Sequence, residues 1–296
     1  MSVLWSAIFL MGGAYVIAVL ESWFMTSRFR WLAPVAGLGE LAKEPVIPRL
    51  SDRVFYESAP LILLTVPLLG FAVLPLTPGV IVTDLATGAL FLNAALAYVL
   101  VALVMAGWGS HGAYAMVAGW RFLGQFVGYG MLVVMPIAAV AMRAQSLSTT
   151  EIVRSQEALW NAVFQPMGLL VFLPATMALG FMPPIDLPVA PGELAGGVSG
   201  EYTGPRLTIF RLGRLVLVVT LATAVTVFFL GGWLGPVLPA IAWTSIKVTG
   251  VVALMLAAGR YVPRLREEQV LMWSWKFGIP VALANIFWVG VILLAV

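Results

Sequence analysis

Eight apolar stretches of about twenty residues dominate this chain, near 3–25, 54–77, 84–107, 122–143, 161–182, 208–231, 237–259 and 272–295. In hydrocarbon such a stretch is stable only as a helix, which satisfies its own backbone hydrogen bonds. Charge is too sparse for a soluble alternative. Of 296 residues, 61% are hydrophobic and 10% charged, whereas soluble domains carry about 25% charged residues. The expected fold is all-α, a single transmembrane domain over 1–296 built as a bundle of about eight helices. The first stretch lacks a basic start and is long enough to span, so it is expected to be retained rather than cleaved.

Basic residues set the orientation. The segments that follow odd-numbered spans hold Arg28, Arg30, Lys43, Arg49, Arg53, Arg121, Arg206, Arg211, Arg214, Arg260, Arg264, Arg266 and Lys276, whereas only Arg143 and Arg154 follow even-numbered ones. By the positive-inside rule both termini lie outside a cell (inner) membrane and the basic loops face the cytoplasm. The inner loops at 26–53 and 183–207 are long, giving a structured Pro/Gly-rich face that suits docking. On the outer side, Ser148 and Glu151 read as a capping box opening a short amphipathic helix in the interface.

Several function classes fall away. The chain has no cysteine and one histidine, His111, so it cannot ligate an iron–sulfur cluster, and bis-histidine haem or zinc sites are untenable. Any redox cofactor must sit on another subunit. A net charge of +3 is too small to point to nucleic acid. Val127-Gly128-Tyr129-Gly130 looks like a potassium-filter fragment, but it falls inside a continuous span and lacks the pore architecture a filter needs. Met and Trp residues read as packing fillers and interface anchors.

Few charges remain to carry chemistry. Lys247, mid-way along the seventh span, costs about 2.5–3.5 kcal/mol to insert and must face a partner or water. It reads as a proton-relay or charge-pairing site, against snorkelling or structural pairing. Glu21 and Glu57, at the inner ends of the first two spans near Asp52 and Arg53, read as proton-path candidates or as ordinary ion-paired carboxylates. Asp186, Glu193 and Glu201 lie in the loop from Pro183 to Gly204. They are expected to line a polar cavity, or else to cap helices and pair with Arg206, Arg211 or Arg214. His111 reads as a surface residue of a flexible inner loop.

The loop Pro184-Ile185-Asp186-Leu187-Pro188 … Gly192-Glu193-Leu194 … Glu201-Tyr202-Thr203-Gly204 resembles, with unchanged spacing, the fifth-to-sixth-span loop of respiratory complex I subunit 1. This family of NADH–quinone oxidoreductase membrane subunits includes the membrane anchors of energy-converting hydrogenases. Asp52-Arg53 with Pro60, Leu41-Ala42-Lys43-Glu44, Gly231-Gly232-Trp233, Lys247, and Arg264-Leu265-Arg266 with Gln269 and Trp275 extend the resemblance over essentially the whole chain.

The resemblance implies a subunit without catalysis of its own. It would dock peripheral iron–sulfur and quinone- or hydrogenase-type subunits and pack laterally against antiporter-like and small membrane subunits and lipid. Docking or quinone-chamber positions would be Arg28, Arg30, Asp52, Arg53, Pro184, Asp186, Tyr202, Arg264 and Arg266. Glu21, Glu57, Lys247, Asp186, Glu193 and Glu201 would serve the proton (or Na+) path. Departures are substantial. Ser22-Trp23 replace the arginine pair after Glu21, and the first inner loop is shortened around Arg30-Trp31-Leu32-Ala33-Pro34. Acidic positions of the family fall at Ala97, Gly130, Leu179, Val189 and Pro191, and an arginine falls at Met182. The implied member therefore has a degenerate quinone site and acidic channel. A stand-alone secondary transporter is the alternative, but the sequence shows no matching inverted halves.

Overall fold

The computed structural model describes residues 2–26, 31–32, 37, 39–190, 192–236 and 238–295; Arg28 and Arg30 lie outside them. The described residues form helices α1 (Ser2–Thr26), α2 (Arg53–Ala72), α3 (Gly88–Ser110), α4 (Ala113–Ala144), α5 (Thr149–Arg154), α6 (Asn161–Phe164), α7 (Pro166–Leu179), α8 (Gly204–Phe229), α9 (Ala240–Tyr261), α10 (Glu267–Trp273) and α11 (Ile279–Ala295). A π-helical turn, Ser274–Gly278, joins α10 to α11 in one rod. It sits just before Pro280, whose ring would clash with the Lys276 carbonyl in a regular helix.

Among the described residues seven helices are long and apolar enough to cross a membrane. The fifth expected span is different. It divides at Gln165, whose backbone (φ −135, ψ 66) leaves the helical region ahead of Pro166. The remaining 14-residue α7 is about 21 Å long, short of a hydrocarbon core of about 30 Å. It still joins the two ends of the bundle. Its N-terminal side is tied to the α8 C-terminus through Asn161, whose amide donates to the Phe228 carbonyl (2.7 Å). Its C-terminal side runs into the loop tied to the α9–α10 connection, where Leu265 N–H donates to the Pro184 carbonyl (3.1 Å).

Three other expectations change. The 107–112 segment is not a flexible loop. Helix α3 runs to Ser110, His111 turns in the left-handed region (φ 53), and α4 begins at Ala113. The 32 residues of α4 make about 48 Å, so its inner end with Arg121 stands clear of the core. Ser148 does occupy the N-cap of α5, but no capping box forms. Its hydroxyl turns to Asp84 (3.4 Å) and Glu151 pairs with Arg154 (2.8 Å). Ile152 and Val153 of α5 are fully buried, so this helix tucks its apolar face into the bundle.

Helix α8 is the central pillar. In its spanning segment 78% of residues are buried, against 22% for α1 and for the α10–α11 rod, which leaves those two the most open flanks. Thr220, Thr223 and Thr226 can sit in this core because each hydroxyl donates to the carbonyl four residues back. Helix α2 starts on Asp52, whose carboxylate accepts from Val54 N–H (3.1 Å). Its internal Pro60 lacks the N–H that would bond the Tyr56 carbonyl. That carbonyl accepts instead from the Tyr202 hydroxyl (3.1 Å), so a helix defect becomes an anchor for the inner loop.

Candidate functional site

The inner loop 183–204 is folded onto the bundle. Pro183 to Leu187 are buried, and the chain turns at Asp186, whose carbonyl accepts from Val189 and Ala190 N–H. Gly197 (φ +52) fits where no side chain can, because a Cβ there would collide with the Pro188 carbonyl. Two tyrosines close the end of the loop. The rings of Tyr56 and Tyr202 stack at 4.5 Å, and Tyr56 donates to the Glu201 carbonyl (2.8 Å) while Tyr202 donates back to Tyr56. Burial first, and then the neighbouring Tyr56, push the Tyr202 hydroxyl above its ordinary pKa, with Arg206 opposing.

The loop carboxylates do not converge as expected. Asp186, 7% exposed, pairs with Arg264 (3.2 Å). Glu193 pairs with Arg121 (2.8 Å), which also reaches Glu267 (3.4 Å). Glu201 packs its carboxylate over Gly112 and makes no ion pair among the described residues. The arginines expected as their partners are engaged elsewhere: Arg206 with Glu57 (2.9 Å), Arg214 with Glu21 (2.9 Å) and Arg211 with Glu40 (3.9 Å). Asp52, Arg53, Glu193, Arg264 and Arg266 are exposed. They form a charged rim around the buried stretch 183–188 of the loop.

Beside this face lies a half-open cavity of about 850 Å³ between α1, α2 and α8. Its walls are apolar (Leu10, Met11, Leu68, Leu215), and Glu21, Arg211 and Arg214 sit at its inner end. The Glu21–Arg214 pair is about one quarter exposed on each side. At that depth, removing one partner strands a charge at a cost of about 2 kcal/mol. The arrangement suits an amphiphile with a long apolar body and a polar head.

Lys247 is at the opposite end of the bundle and joins none of these groups. Its ammonium donates to the carbonyls of Leu230 (2.7 Å), Gly232 (3.0 Å) and Leu234 (2.7 Å), with the Trp160 ring 4.3 Å away. Gly231 and Gly232 (φ +71 and +46) give the turn that brings these carbonyls together. The cation thereby caps the negative C-terminal end of α8. An amide network supports the same end: Gln156 donates to the Val227 carbonyl (2.8 Å), and Arg143 donates to Asn161 Oδ1 (2.5 Å).

Sequence reading missed Arg121 and Glu267 as ion-pair partners, and gave Arg214 to the loop carboxylates rather than to Glu21. Arg214 carried a signal, since it lies ten residues inside α8 (Gly204–Phe229) rather than in the loop before it.

Fold and site together define a polytopic helical membrane protein with a pinned, charge-rimmed inner face and an apolar lateral cavity. A family model described as NADH dehydrogenase matches residues 24–290. The NADH-quinone oxidoreductase H subunit of Syntrophotalea carbinolica is 35% identical over 284 residues, which is 92% of this chain and 86% of that relative. The chain belongs to the complex I subunit 1 family and is a membrane subunit of a complex I-like, multi-subunit assembly.

Proposed function

We propose that this chain is the anchor on which the peripheral redox module of its assembly sits, and that the loop 183–204 and its charged rim form the seat. The observation that carries this reading is the combination of a loop whose stretch 183–188 is buried and held by backbone hydrogen bonds with an exposed rim of Arg53, Glu193, Arg264 and Arg266. A rigid seat loses little conformational freedom when a partner lands, and rim charges steer the encounter. The partner would carry the iron–sulfur clusters, as this chain has no cysteine. The open flanks of α1 and α10–α11 leave room for antiporter-like or small membrane subunits. The membrane would be the inner membrane, with both termini outside.

The cavity fits an isoprenoid quinone at the interface with the peripheral module. Its apolar walls match the tail, and the Arg214 and Arg211 guanidiniums can donate to ring oxygens at its inner end. Ion movement, of protons or Na+, would then be coupled through the charged groups of the inner face. Affinity purification from native membranes, with a mass-spectrometric subunit inventory, tests the reading. Co-purification of iron–sulfur and antiporter-like subunits is expected; recovery of the chain alone would contradict it.

A further inference from the structure

Lys276 lies inside the last spanning rod, in the π-helical turn Ser274–Gly278. Ser274 and Gly278, two residues to either side of it, are buried. Both pack on α4: a Cβ on Gly128 would lie 3.2 Å from Ser274 Cβ, and one on Gly278 would lie 2.7 Å from Leu132 Cδ1. Lys276 is exposed on the opposite side of the rod. It makes no hydrogen bond, ion pair or cation–π contact among the described residues. Beyond the first turn of the spanning helices, every other described cation has a partner. Arg121, Arg211 and Arg214 meet carboxylates, and Arg143, Lys247 and Arg260 donate to carbonyl oxygens.

The register of the rod against α4 gives the depth of this cation. Ser274 is level with Gly128, seven residues outward of Arg121, so Lys276 stands about 13 Å outward of the Arg121 rim. From Lys276 to Ala295, the end of α11, is about 28 Å more. Together these lengths match a bilayer with its headgroups, about 40–45 Å, around a core of about 30 Å. The Lys276 Cα therefore lies about 7 Å inside the inner edge of the core. An unpaired ammonium is costly at that depth. Lipid phosphates, level with the Arg121 rim, are farther off than a lysine stem extends. The missing anion must come from protein, on an element that itself crosses the membrane. Leu283, Phe287 and Leu294 share the Lys276 face and are 52%, 74% and 91% exposed, which gives such an element a surface to pack along.

We propose that Lys276 docks a transmembrane helix of a neighbouring subunit, through an aspartate or glutamate that this helix carries in the inner half of the core. That neighbour is one of the lateral subunits of the proposed function, and its docking is independent of the seat for the peripheral module.

Phe287→p-benzoylphenylalanine, on the same face, traps the neighbour by light in native membranes, and mass spectrometry reads the trapped peptide. An adduct to a membrane-spanning segment with an Asp or Glu in its inner half is expected. Adducts to lipid alone, or to a segment without a carboxylate, overturn the proposal. In the purified assembly Lys276→Gln is expected to release that subunit at least about tenfold faster, and Lys276→Arg to retain it. Equal release from the Lys276→Gln and unaltered assemblies overturns the proposal as well. The unfolding midpoint of the detergent-purified chain should not move in Lys276→Gln; a clear fall would place the lysine's role within the chain and overturn docking. Retention of iron–sulfur subunits is scored separately and tests the peripheral seat rather than this contact.

Discussion

Replacing Lys247 with methionine tests whether this lysine locks the outer end of α8. Methionine keeps most of the side-chain volume but removes three ammonium–carbonyl bonds of 2.7–3.0 Å and the contact with Trp160. Hydrogen bonds to charged groups contribute about 1.5–3 kcal/mol each. Regained hydration of the freed carbonyls and removal of the lysine's own burial cost offset part of that. The net loss is about 3–5 kcal/mol. A chain of this length unfolds with about 0.6 kcal/mol per kelvin of entropy, so the midpoint should fall by about 5–8 °C. Thermal unfolding of the detergent-purified chain, followed by tryptophan fluorescence, reads this directly. Lys247→Arg should recover only part of the loss, because a planar fork cannot point three donors at carbonyls arranged around a tetrahedral ammonium. A Lys247→Met midpoint within about 1 °C of the parent would refute the lock, as the whole argument rests on those bonds contributing to stability.

Other outcomes follow from the inner side. Gly197→Ala forces a Cβ into the Pro188 carbonyl at a positive φ, so the loop should loosen by more than about 2 kcal/mol and limited proteolysis should cut within 183–204 at least tenfold faster. Arg214→Gln strands Glu21 and removes a donor from the cavity; on the proposed function, the quinone KM of the assembly should rise about tenfold, equivalent to about 1.4 kcal/mol, with kcat changing less. Tyr202 has a raised folded-state pKa, so its contribution to stability is full below pH 10, the ordinary tyrosine value, and is lost as pH rises beyond it. Tyr202→Phe should therefore flatten the fall in stability that titration above about pH 10 is expected to show.

The spans were legible because the length of an apolar run is a signal along one dimension of the chain. Alternation of basic loops is equally linear, and the inner segments do meet at one end of the bundle through contacts such as Asp52 N–H to the Gly109 carbonyl (2.9 Å) and Leu265 N–H to the Pro184 carbonyl. What the sequence hid was pairing. Glu193 meets Arg121 across 72 positions, and Glu21 meets Arg214 across 193; nearby arginines in the chain were misleading guides. Lys247 was legible as an anomaly, but its acceptors are backbone carbonyls, which every residue carries and no composition reveals. Pro60 was visible as a motif residue, whereas its effect, freeing the Tyr56 carbonyl for Tyr202, needed the α2–loop packing to be seen. The division of the fifth span at Gln165-Pro166 had a local cue in the proline, overridden by the apolar character on either side.

Since the chain lacks native cysteine, single-cysteine variants report position without background. Arg53→Cys and Arg266→Cys place a thiol on the exposed inner rim, and Glu157→Cys places one at the exposed outer end. With a short bifunctional cross-linker in native membranes, the two rim positions are predicted to couple to a soluble subunit that carries iron–sulfur clusters. The outer position should couple to none and should take a membrane-impermeant thiol reagent from the opposite side. Rim thiols that stay open to that reagent in the intact assembly, with no cross-linked soluble subunit, would contradict the account.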